Sequence, residues 1–265
     1  MARDSIKQIF IVTISLSVVC SLVISSSAVR LRSNQQANRI AELRRNILIA
    51  AGVFEKGIDV EAAFSNFEAR MVDLETGEFT DLEDPATYNQ RSAAKDPDQS
   101  IAIPRKRDYG DIRRREKLSL VYLAKGEDGS IEQVIMPFYG KGLFSTLYGF
   151  LSLDAHDFKT VRGLTYYEHG ETPGLGGEVD LPRWKAIWIG KSLYNEEGEV
   201  ALHLIKTPKM AAASDPALAY QVDALSGATL TSNGVTNMMR YWFGPDGFKP
   251  FLDNLKALKG ESPDE

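Results

Sequence analysis

Four alcohols crowd one short stretch near the C-terminal end. Ser226, Thr229, Thr231 and Ser232 surround Gly227 and Ala228 in Asp223-Ala-Leu-Ser-Gly-Ala-Thr-Leu-Thr-Ser-Asn-Gly-Val235. Small residues let a phosphate approach the backbone closely. The residues from Val235 to Phe243 read as a helix, with Thr231 or Ser232 placed to cap its start. A helix start presents free N–H groups and a partial positive charge, which together favour a phosphate. Clusters of Ser, Thr and Gly are also the ordinary stuff of loops, so composition alone does not separate the two readings.

A second constellation precedes it, Tyr166-Tyr-Glu-His-Gly-Glu-Thr-Pro-Gly-Leu-Gly-Gly-Glu178. Pro173 with Gly174, Gly176 and Gly177 imposes an unusual backbone path. Such a loop can turn N–H groups towards the edge of a planar ring while Leu175 covers its face. Gly142, Leu143 and Phe144, within Gly140-Lys-Gly-Leu-Phe-Ser145, offer the same mixture of backbone freedom and apolar cover. Lys206 ends an expected strand before the hydroxyl cluster, where it can meet a phosphate or a ring. His169 and Glu171 are two potential metal ligands, which do not make a site, and no metal is expected.

These loops need a scaffold, and the pattern supplies one. Ser119–Lys125 and Glu132–Phe138 read as a hairpin around Gly126-Glu-Asp-Gly129, with further strands at Leu147–Leu153, Thr160–Tyr167 and Leu202–Lys206. Helical spacing appears at Arg39–Gly52, Gly57–Phe67, Glu178–Gly190 and Phe248–Leu258, and Trp184 and Trp188 read as core. Met71–Phe79 reads as an extended piece broken at Glu75-Thr-Gly77, and 82–111 as a polar surface excursion. Separate runs of strands and helices predict an α+β domain with a mostly antiparallel sheet and flanking helices. The expected division is a short tail at 1–8, a span at 9–29, a helical and irregular segment at 30–118, and the ligand-binding part at 119–265.

Ile9–Val29 contains no charge and is long enough to cross a hydrocarbon core. Ser25-Ser26-Ser27-Ala28 keeps a cleaved signal peptide as the competing reading, but the run is long for a signal core, which favours a retained anchor. Arg3 and Lys7 precede the span, while Arg30, Arg32, Arg39, Arg44 and Arg45 follow it. Counted literally, these place the C-terminal part in the cytoplasm, yet large domains translocate despite charge, so charge leaves the side undecided. A net charge of −5 gives no reason to expect nucleic acid. Cys20 is the single cysteine, which excludes a disulfide framework and a self-contained iron–sulfur site. The basic run from Arg105 to Lys117 reads as a solvated face or as a dock for an acidic partner.

Asp223-x-x-Ser226-Gly227-Ala228-Thr229 resembles the flavinylation motif of the FMN-binding domain family, and Glu171-Thr172-Pro173-Gly174-Leu175-Gly176 resembles that family's second loop. With the N-terminal span, Tyr166-Tyr167, Gly176-Gly177-Glu178 and Leu230–Val235, the chain is similar along essentially its whole length to the C-subunit family of the sodium-translocating NADH:quinone oxidoreductases. The flavin subunit of Rnf-type electron-transport complexes shares both loops and is the alternative. The doubled glycine and the long 54–117 insertion favour the quinone reductase. The resemblance implies FMN bound covalently to Thr229 through a phosphoester, placed there by a flavin transferase. It implies ring contacts from Glu171 to Gly176 and from Gly142 to Phe144, and a role for Asp223 in transferase recognition or metal-assisted transfer. It further implies a bacterial inner-membrane protein with its flavin domain in the periplasm. Electrons would pass towards the flavins of the B subunit and quinone, in a complex with the A, B, D, E and F subunits, with no complete active site in this chain alone.

Overall fold

The computed structural model describes residues 5–209, 211–212 and 214–260. The chain divides into two compact units, with the boundary between Leu43 and Arg44. The first consists of the N-terminal part of helix α1 (Ile6–Ala50), and its apolar residues from Ile6 to Val29 are exposed. Within it, Ile6–Arg32 is long and apolar enough to cross a membrane. The expected span and the expected helix at Arg39–Gly52 are thus one continuous helix.

The second unit follows from alternation of side chains along strands. After α2 (Val60–Phe64) come β1 (Phe67–Asp73) and β2 (Glu78–Thr80), then α3 (Gln90–Ala93), β3 (Ser100–Ala102) and β4 (Arg114–Glu116). Four longer strands follow: β5 (Leu118–Lys125), β6 (Ile131–Lys141), β7 (Thr146–Asp154) and β8 (Val161–Glu168). The main sheet has the order β2-β1-β5-β6-β7-β8, and every neighbouring pair is antiparallel. β1 and β2 therefore carry part of the 30–118 segment into this sheet, while β3, inside the polar excursion, pairs with β4 just after it.

One face of the sheet is apolar at every second residue, as in Val134, Met136 and Phe138 of β6 opposite Leu153, Leu151 and Gly149 of β7. Onto it pack α5 (Thr229–Trp242) and α6 (Lys249–Gly260), which bury Val235, Met239, Trp242, Phe251 and Leu252. Trp184 and Trp188 join the same core, as their spacing implied. They stand in and after α4 (Pro182–Ala186), a single turn preceded by the 3-10 segment Gly176–Asp180. The helical spacing read over Glu178–Gly190 thus resolves into short pieces, because Pro182 can only open a helix and Gly176-Gly177 disfavours one. β9 (His203–Ile205) is not a fifth strand of the main sheet. It pairs in parallel with β10 (Gln221–Asp223), so Asp223 lies beside Ile205.

The close approach of α5 to β6 fixes where its N-terminus stands. A Cβ on Gly140 would lie 2.8 Å from Met238 Cβ, and one on Gly234 would strike the Lys141 carbonyl, so both glycines are required by contact. The Trp242 indole Nε1–H donates to the Tyr139 carbonyl at 2.6 Å and locks the far end of α5 to the same strand.

Candidate functional site

Three chain segments meet at the start of α5: the 142–145 loop between β6 and β7, the 169–177 loop after β8, and Asp223–Thr231. The joint between them is Glu171, which is only 5 % exposed. Its Oε1 accepts the backbone N–H groups of Phe144 and Ser145, both at 3.0 Å, and the Ser145 hydroxyl at 3.2 Å. Oε2 accepts the Thr231 hydroxyl at 2.7 Å and the Leu143 N–H at 3.3 Å. Burial alone would raise the Glu171 pKa; the donors from Thr231, Ser145, Phe144 and Leu143 outweigh it and hold the carboxyl below its ordinary value. An ionised carboxylate among these donors is a strong clasp. Gly142 and Gly176 make it possible, since a Cβ on either would crowd the carboxylate, at 2.6 and 2.7 Å from Oε1 and Oε2 respectively.

The two alcohols expected to cap α5 do other work. The N-cap is Ala228, which makes no side-chain hydrogen bond, and the helix begins at Thr229, six residues before the expected start. Thr231 is turned into the core to reach Glu171, and the Ser232 hydroxyl receives the Leu225 N–H at 3.1 Å while donating to the Ala228 carbonyl at 3.0 Å. Both are buried, whereas Ser226 and Thr229 are exposed. Without a side-chain cap, the first N–H groups of α5 remain available on the side where Thr229 stands. Gly227 has φ +71, and a Cβ there would lie 3.0 Å from Leu175 Cδ2, so the approach beside Thr229 stays narrow and smooth.

Around this point four large apolar side chains face outwards: Leu143 (42 % exposed), Phe144 (62 %), Leu175 (43 %) and Leu230 (60 %). Thr172, Pro173 and Gly174 complete the turn between Glu171 and Leu175; Thr172 accepts the N–H groups of Leu175 and Gly177 through its carbonyl. Asp223 bonds to the Thr207 hydroxyl, next in sequence to the exposed Lys206, and its carbonyl receives the Trp184 indole N–H at 2.9 Å. His169 stands apart from any metal set. Its Nε2 lies 2.8 Å from Asp180 Oδ2 and its Nδ1 accepts the Glu171 N–H, which makes it a brace for the loop. Among the described residues no three His, Cys, Asp or Glu side chains are grouped to hold a metal.

Ser145 and Thr231 are the members that sequence reasoning missed as positioning groups. Their signal was faint: a Gly-x-Gly-x-x-Ser loop that can direct successive N–H groups at one acid distant in sequence. The assembled surface carries one accessible threonine at an uncapped helix start, with an outward apolar rim. Those features fit a planar, partly apolar ring with a phosphate tail.

Residues 142–244 match the FMN-binding domain family. Over 263 residues the chain is 45 % identical to the C subunit of the Na(+)-translocating NADH-quinone reductase of Yersinia pestis, covering 97 % of this chain and 96 % of that one. The C subunit from Pseudomonas aeruginosa is also 45 % identical, over 267 residues, with 98 % and 99 % covered. The crystal structure of Shewanella oneidensis NqrC superposes with a TM-score of 0.76 at 36 % identity, covering 83 % of this chain and 99 % of that one.

Proposed function

The chain belongs to the C-subunit family of the Na(+)-translocating NADH-quinone reductases, and from that premise we propose that it is the complex's covalent flavoprotein relay, with FMN joined to Thr229 through a phosphoester. The observation that carries the attachment is the sorting of alcohols by burial. Thr231 and Ser232 are 1 % and 3 % exposed and engaged in hydrogen bonds, while Thr229 stands exposed on the uncapped first turn of α5. Ser226 is exposed too, but it lies before the Gly227-Ala228 pair and off the helix start.

In this reading the flavin supplies the electron-transfer chemistry, and the protein supplies position and electrostatics. The free N–H groups at the start of α5 receive the phosphate. Leu143, Phe144, Leu175 and Leu230 cover the ring, and Gly142, Thr172, Pro173, Gly174 and Gly176 set the path of the two loops around it. Glu171 acts from beneath, holding both loops and α5 in register. Lys206 and Asp223 stand at the phosphate side, Lys206 as a counter-charge and Asp223 as a contact for the transferase. The 119–265 segment forms the flavin-binding part, and 30–118 completes its sheet and surface. Electrons pass from here towards the B subunit and quinone, and the A, D, E and F subunits share the assembly.

The test is direct. Chain purified from membranes in which the flavin transferase is active should keep its visible flavin absorbance after denaturation and gel filtration. A colourless denatured chain would refute covalent attachment.

Two further outcomes are expected. A cysteine replacing Leu82, which is 78 % exposed, should label with an impermeant maleimide in intact cells, because the domain lies in the periplasm. Labelling only after lysis would put the domain on the cytoplasmic side. Gly174 has φ +78 with nothing within 4 Å of an added Cβ, so the first side-chain atom of Gly174→Val meets open space. The substitution meets backbone strain instead, of about 1–3 kcal/mol for a β-branched residue held there. The loop should relax and shift the flavin potential while the covalent bond persists; an unchanged potential would show that this loop only closes the fold.

A further inference from the structure

Beside the 142–145 loop, on the flank formed by Gly140, Thr146 and Tyr148, lies an open cavity of about 480 Å³. Cations from separate segments converge on it: Arg91 and Lys95 from α3 and the residues after it, Arg113 from the preceding loop and Arg114 from β4. Against these four charges stand Asp111, 3.4 Å from Arg113, and Glu168, which holds Arg91 at 2.8 Å. Among the described residues Lys95 has no ion-pair partner. A cationic surplus gathered here, on a chain of net charge −5, calls for an anionic occupant.

The loop that presents Arg113 is built under strain. Asp111 and Arg113 have φ of +48 and +70, conformations that side-chain-bearing residues seldom adopt. The Asp108 carboxylate enforces them by accepting the N–H groups of Ile112 at 2.7 Å and Arg113 at 2.8 Å. Strained backbone held in this way clusters at active sites, ligand clamps and switch regions. Arg91 is fixed as well, its guanidinium 3.8 Å from the Tyr148 ring centroid. Arginine and tyrosine are among the residues most often found at the energetic centre of protein interfaces.

We propose that this cavity docks an acidic segment of a neighbouring subunit, bringing that subunit against the loop that borders the flavin. The proposal rests on the assembly and flavin reading given above. Lys95, Asp111 and Arg113 form an exposed rim around the half-buried Arg114, Tyr139 and Tyr148. A free small anion would leave that rim wet and weakly bound. A carboxylate-bearing chain covering the mouth would exclude water and strengthen each pairing. The basic run seen in the sequence is thereby divided: Arg115 is buried, Arg107 pairs with Asp246 at 2.6 Å, Arg114 lines the cavity while its guanidinium donates to Ser100 and the Pro97 carbonyl, and Arg113 stands at the mouth beside Asp111.

The experiment uses the full chain in the assembled complex. Lys95→Glu combined with Arg113→Glu changes two exposed side chains outside the flavin site, and the residue at 113 keeps the ordinary L-residue constraints. At an ionic strength of about 0.15 M, the variant's co-purification with the other subunits should fall roughly tenfold or more, with FMN per chain unchanged. The neutral pair Lys95→Gln and Arg113→Gln should fall between, which separates lost attraction from misfolding. Unchanged co-purification of the reversed variant would overturn the proposal. So would stabilisation of the isolated full chain by millimolar phosphate or citrate that the variant loses while it assembles normally, since that marks a small-anion site. Absence of covalent flavin from the unsubstituted chain would count against the flavin reading alone.

Discussion

Thr229→Val is expected to give a chain that folds and inserts but carries none of the covalent FMN mass. Valine keeps nearly the same volume and removes the oxygen that would form the phosphoester. The position is exposed on the first turn of α5, so little packing is at stake. Neighbouring alcohols should not substitute. Ser232 is committed to the Leu225 N–H and the Ala228 carbonyl, and Thr231 to Glu171. Thr231→Val should accordingly keep its flavin and lose about 1.5–3 kcal/mol of stability, the usual worth of a hydrogen bond to a charged group. Intact mass and a denaturation midpoint read the two outcomes. Flavin on the Thr229→Val chain would overturn the assignment.

The second large effect belongs to Glu171. Glu171→Ala strips the acceptor from the N–H groups of Leu143, Phe144 and Ser145 and from the Thr231 hydroxyl together. A cost of about 3 kcal/mol is expected, since donors oriented towards a buried carboxylate lose their partner at once. The flavin should remain attached but bind loosely, with recovered fluorescence and a broadened absorption band. The acid limb of stability gives an independent reading. The folded pKa of Glu171 lies below the unfolded one, so its stabilisation is complete above the ordinary carboxylate value of about 4.3. It drains away as pH falls through the lower folded value. The unsubstituted chain should therefore lose stability more steeply below about pH 4 than the alanine variant does. Parallel acid limbs would show that the clasp contributes nothing.

Local signals were strong wherever local chemistry decided the structure. The apolar span, the four long strands with their antiparallel pairing, the core role of Trp184 and Trp188 and the C-terminal helix all follow from periodicity. What escaped depends on partners far away in sequence. Thr231 and Ser232 read as caps because Thr-Leu-Thr-Ser-Asn-Gly is a poor helix sequence. The docking of α5 on β6 draws those residues into the helix regardless. β9 read as a member of the main sheet because its parallel partner, Gln221–Asp223, is too short to announce itself. The site shows the same division. Thr229 and the glycine-rich loop were legible as a motif pair, while the central place of Glu171 depends on a loop 26–28 residues away and on Thr231, 60 residues away. No spacing rule reaches that far.

The claim that Thr229 is the flavin's attachment point is tested most directly by peptide mapping of the unsubstituted chain. The chain should be taken from membranes with the transferase present, digested, and followed by flavin absorbance and fragment masses. The account predicts one flavinylated peptide, spanning the start of α5, with the FMN mass on Thr229 and on no other residue. FMN localised to Ser226, Thr231 or Ser232, or a digest in which the flavin is released free, would contradict it.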